Sequence, residues 1–107
     1  MLLLEENKMN DFKKINARRV RHSSGYEVYS IGRDFIGYED ATTIYKIRRE
    51  LGWLDAFNKG AEIIYINDIY DKEGNVVSLT TLERNLLMEK IVSAKKFMGE
   101  FEIQLSG

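Results

Sequence analysis

Thr80–Met98, TTLERNLLMEKIVSAKKFM, is the stretch from which the rest of the chain can be read. Thr80 followed three residues later by Glu83 is a capping box: the hydroxyl accepts from the Glu83 amide while the carboxylate reaches back to the Thr80 amide. At roughly 100° per residue, Leu82, Leu86, Leu87, Ile91, Ala94, Phe97 and Met98 fall within one half of the helical wheel. Lys95 and Lys96 sit where cations oppose the negative end of the helix dipole, and Gly99 suits the left-handed residue that ends a helix. The spacing predicts a helix with that broad apolar half, Leu86 and Ile91 included, buried on a sheet. Met88 and Val92 lie one turn apart on the opposite side, among Arg84, Glu89, Lys95 and Lys96. They read either as ordinary surface apolar residues or, with Arg84, as the centre of a contact with a protein partner or a second copy.

Before this helix, Asp40 can cap a second one over Ala41–Leu51, with Ile44, Ile47, Leu51 and Leu54 on one stripe, Arg48 and Arg49 near its end and Gly52 as its stop. Trp53, the only tryptophan, falls in the following corner beside Phe57 and is expected to plug the core there. Residues 18–31 read as a hairpin, with Gly25 supplying the positive φ of its turn. Gly32 and Gly37 bracket either a loop or a continuation of that strand. Ala61–Tyr70, AEIIYINDIY, is apolar on both faces, as a central strand would be. Val76–Leu79 is expected to return antiparallel to it after the turn-forming Asp71–Asn75. Phe101, Ile103 and Leu105 alternate with polar residues, the pattern of a half-buried strand. Leu3, Leu4, Met9, Phe12 and Ile15 suggest a short N-terminal helix. The expectation is one α+β domain over residues 1–107: an antiparallel sheet of about 4–5 strands with two main helices, in the order ββαββαβ.

With 107 residues, 44% hydrophobic and 31% charged, the chain can bury a single core. Having no cysteine, it has no disulfide, thiolate metal site or cysteine nucleophile, and it suits a reducing compartment such as the cytoplasm. Met1–Leu4 is followed at once by Glu5 and Glu6, which is neither a secretory core nor a membrane span. No cofactor is expected: zinc lacks ligands, and no glycine-rich phosphate loop is present. Asp68, Asp71 and Glu73 fail the spacing of a calcium loop and read as a solvated turn, with no metal.

His22 in RRVRHSSG could act as acid or base beside Ser23 and Ser24, but no third group that would orient the ring is identifiable, so it reads as an exposed residue flanking a turn. The other patch with a readable ligand class is Lys8–Arg21, with six basic residues opposed only by Asp11. Lys13, Lys14, Arg18, Arg19 and Arg21, with Tyr26 and Tyr29 nearby, suit single-stranded nucleic acid, in which phosphates meet cations and bases stack on rings. Against this stand the formal charge of −1 and Glu27, which can pair with those cations within the fold. The leading expectation is a non-catalytic module that binds a protein or itself, of the kind phages and mobile elements carry as inhibitors or regulators. Nucleic-acid binding through segment 13–21 is the alternative.

Overall fold

β1 (Phe12–Asn16), β2 (Arg19–His22), β3 (Glu27–Ile31), β4 (Phe35–Glu39), β5 (Ile44–Leu54) and β6 (Lys59–Asp71) form an antiparallel meander, each strand pairing with the next. The structure is a computed structural model and describes residues 11–99 and 101–107. After β6 the chain crosses one face of the sheet as the helix α1 (Thr81–Met98) and returns as β7 (Glu102–Ser106), parallel to β6. Among the described residues the sheet is therefore seven-stranded and mixed, with its strands in chain order and one α-helix on one face. This corrects the expected α+β arrangement of an antiparallel sheet under two helices. Of the expected N-terminal helix, Phe12–Asn16 is a strand, and the part before residue 11 lies outside the described residues.

The largest correction falls on Asp40–Leu54. Asp40 does cap, but it caps a turn: its carboxylate accepts from the Thr42 amide at 3.0 Å and from the Tyr38 hydroxyl at 2.8 Å. Beyond that turn, Tyr45, Ile47, Arg49 and Leu51 alternate along β5 and all face the helix side. β-Branched and aromatic residues suit a pleated strand better than a helix, and this one is paired along both edges. Val76–Leu79 contributes only an isolated bridge, Tyr70↔Val76, rather than a strand. Gly32–Gly37 resolves into a tight turn and a separate strand. Trp53 is no core plug: it is 60% exposed near the end of β5.

The two sheet faces differ because cross-strand partners share a face. On the helix side lie Val20, Val28, Ile36, Ile47, Ile64 and Ile69, and against them pack Leu87, Met88, Ile91 and Ala94. On the opposite face Tyr29 lies across Gly37, where any Cβ would overlap its ring. Gly37→Ala must push that ring aside, an overpacking cost of about 1–3 kcal/mol that chemical denaturation would read. A variant as stable as wild type would refute this packing.

α1 begins with the expected capping box, Thr80 accepting from the Glu83 amide at 3.1 Å and Glu83 from the Thr80 amide at 2.9 Å, and it ends at left-handed Gly99. Its rotation about its axis differs from the simple wheel. Leu87, Met88, Ile91, Ala94 and Lys95 are buried, while Leu82 and Leu86 are exposed, a shift of about a quarter turn at roughly 100° per residue. The cause is polar. Lys95 reaches the buried carboxylate of Glu62 at 3.2 Å, and Arg84 donates to Asn67 at 2.6 Å. Both cations are thereby turned toward the sheet, and Met88 between them follows.

Candidate protein-binding surface

The rotation of α1 leaves Leu82 and Leu86, one turn apart, facing away from the core at 69% and 50% exposure. Two clefts separate the helix from the end of the sheet. One, of about 290 Å³, is lined by Phe12, His22, Tyr26 and Ser93; the other, of about 210 Å³, by Tyr38, Asp40, Tyr45 and Leu79. Leu86 and Lys90 line both and so form the divide between them.

The floor of these clefts is a run of rings contributed by successive strands and the β2–β3 turn. His22 stacks on Tyr26 with centroids 4.8 Å apart, Tyr26 on Tyr38 at 5.8 Å, and Tyr38 on Tyr45 at 6.3 Å. The Lys90 ammonium sits 5.5 Å from the Tyr26 ring centroid and 5.9 Å from that of Tyr38, within cation–π range. Burial, with Glu89 and Asp11 nearby, pushes the Tyr26 hydroxyl up to about 12. Burial also raises Tyr38, helped by its bond to Asp40. Burial pushes the Asp40 carboxyl up, but the Thr42 amide and the Tyr38 hydroxyl outweigh it and hold the group below its ordinary value. These phenols remain neutral donors, so the surface presents rings and one ammonium rather than reactive oxygens.

His22 is half-buried rather than exposed. Its Nδ1 accepts from the Ser24 amide at 3.0 Å and lies 2.8 Å from the Ser24 hydroxyl. A neutral ring whose Nδ1 accepts a backbone N–H carries its proton on Nε2, here 3.8 Å from Asp11. The lone pair that a base would use is engaged in holding the β2–β3 turn.

The residues expected to contact a partner are placed differently from their sequence reading. Met88 is in the core at 4% exposure, Val92 is half-buried, and Arg84 is committed to Asn67. They form no exposed patch, because Lys95 and Arg84 draw that side of the helix onto the sheet. The exposed pair, Leu82 and Leu86, is visible in the sequence, where the wheel places it in the buried half.

The expected nucleic-acid residues are divided among four places. Lys13, Arg19, Arg21 and Tyr29 share the helix-free face of the sheet. Tyr26 lies on the helix side, in the core. Lys14 stands on the outermost strand, and Arg18 occupies the β1–β2 turn. On the helix-free face the two arginines are already engaged: Arg19 and Arg21 both bond Glu27, and Arg19 also lies 3.9 Å over the Tyr29 ring. These bonds, from Arg19 first, hold the Glu27 carboxyl below its ordinary range. Arg48 has Asp68 at 3.7 Å, and the Asp71 carboxylate accepts from the Glu73 and Asn75 amides within its own turn, so the hairpin carboxylates serve separate roles. Among the described residues, no helix is long and apolar enough to cross a membrane. No protein-family model, curated protein or solved structure matches this chain.

Proposed function

We propose that this protein is a non-catalytic binding module that receives a protein partner on the Leu82–Leu86 ridge of α1 and the aromatic clefts beside it. The observation that carries this reading is the exposure of two leucines one turn apart, of which Leu86 divides two clefts floored by stacked rings. An apolar centre rimmed by Glu83, Glu89 and Lys90 has the composition of a protein interface, where aromatic and aliphatic anchors dominate the energy. Nucleic acid remains the second reading, supported by Arg19 over Tyr29, Lys46 over Phe35 and Arg48 over Tyr65 on the helix-free face. It ranks lower because phosphate would have to displace Glu27 from Arg19 and Arg21.

Leu82→Asp and Leu86→Asp separate the two. Both side chains are exposed, so the thermal midpoint should stay close to wild type, while a charge placed at the contact centre should weaken partner capture by about 30-fold or more. Capture from native lysate by wild type should survive nuclease treatment and fail for both variants. Capture that is lost on nuclease treatment, or retained by Leu86→Asp, would sink the proposal.

A further inference from the structure

At the opposite end of α1, the β1–β2 turn, the β3–β4 turn and the C-terminal end of the helix enclose a pocket of about 530 Å³, within the usual range for small-molecule sites. Arg18, Arg33 and Arg49 line it together with the apolar Leu51, Met98 and Phe101. No Asp or Glu appears among its described lining residues. We infer that this pocket binds a small organic phosphate, its oxyanion held by Arg18 and Arg33 and its apolar body resting on Leu51, Met98 and Phe101.

The arginines have different tasks. Arg49 is buried and holds the pocket's shape: Nε donates to the Arg33 carbonyl at 2.9 Å, Nη2 to the Gly32 carbonyl at 2.8 Å and Nη1 to Glu62 at 2.7 Å. Its backbone amide also donates to the Asp34 carbonyl at 2.9 Å, so three bonds from one residue fix the β3–β4 turn and a fourth ties it to β6. A turn held in this way loses little freedom when a ligand arrives. Glu62 offsets the charge of Arg49, so the attraction for an anion falls to Arg18 and Arg33. Their guanidinium groups are exposed and are joined by no hydrogen bond or ion pair to any described residue. This separates them from Arg19 and Arg21, which are already compensated by Glu27. Arginine suits a phosphate because its planar fork can make paired bonds to two oxygens. Ser30, also lining the pocket, adds a hydroxyl donor.

The test uses isothermal titration of the whole chain with four probes: phenyl phosphate, inorganic phosphate, benzoate and phenol. Phenyl phosphate should bind at least about tenfold more tightly than inorganic phosphate or phenol, since only it offers both an oxyanion to the arginines and a ring to the apolar residues. Arg18→Gln and Arg33→Gln should each weaken it about tenfold or more, as expected for loss of a charged hydrogen bond, with thermal midpoints unchanged. Lys13→Gln, on the other sheet face, should have no effect. Benzoate binding as tightly as phenyl phosphate would overturn the assignment to phosphate. No phenyl phosphate binding at about 1 mM, or binding indifferent to both arginine substitutions, would overturn the site itself.

Discussion

Glu62→Ala is expected to lower the free energy of unfolding by about 3–5 kcal/mol, the usual cost of removing one partner from a buried ion pair. Glu62 lies on β6 facing the helix, at 0% exposure, and joins Arg49 of β5 at 2.7 Å to Lys95 of α1 at 3.2 Å. Without it, two cations remain in the interior without the carboxylate that both approach. The interior pair can be worth little relative to apolar residues of the same shape, yet breaking it costs heavily, because the remaining charge must be desolvated without its counterion. Glu62→Gln keeps the shape and an acceptor oxygen, so its loss should be smaller but still clear. Urea unfolding of the three proteins would order them as wild type, Gln, Ala; an alanine variant within about 1 kcal/mol of wild type would show that this triad does not hold helix to sheet.

Ile91→Ala should cost about 2–5 kcal/mol, through lost burial and the cavity left where the helix meets the sheet. Ile91 is fully buried among the core residues of the strands and helix. The informative comparison is Leu86→Ala. A helix seated by its apolar residues alone would make the two substitutions similar, whereas the rotated helix makes Leu86 an exposed residue whose loss should fall within about 0.5 kcal/mol. Equal destabilisation by both would refute the rotation, and with it the exposure of the Leu82–Leu86 ridge.

The same residues explain what was legible in the sequence. The capping box, the 18–31 hairpin and the alternating last strand were readable, because each depends on local chemistry or on a regular apolar pattern; Ala61–Tyr70 was readable as a strand, but it is β6, next to the edge strand β7 and covered by the helix on one face only, not a central strand covered on both. β5 was not readable as a strand because Arg49 stands at an inward position, where an apolar residue would have completed the alternation of Tyr45, Ile47 and Leu51. The stripe that remained, at 44, 47, 51 and 54, imitates a helix. Lys95 and Arg84 obscured the rotation of α1 in the same way. The pairing of Arg49 with Glu62 follows only once β5 is known to be a strand beside β6, so the sequence held no signal for it. For the surfaces, the Glu27 pairing with Arg19 and Arg21 could be anticipated from sequence, whereas the Arg18–Arg33 pocket depends on two turns brought together only by the fold.

The parallel seating of β7 beside β6 has a kinetic consequence. β1 to β6 pair with immediate neighbours through short turns, so their contacts close small loops, but Ala61 and Glu102 meet across about 40 residues of chain, a costlier closure. The nearer pairings of the meander are therefore expected to form before α1 and β7 dock, and pulse-labelled hydrogen exchange would check this as early protection of β2–β5 amides and late protection of those in β7. In that order Glu62, on the strand that receives β7, would meet Arg49 first and Lys95 last.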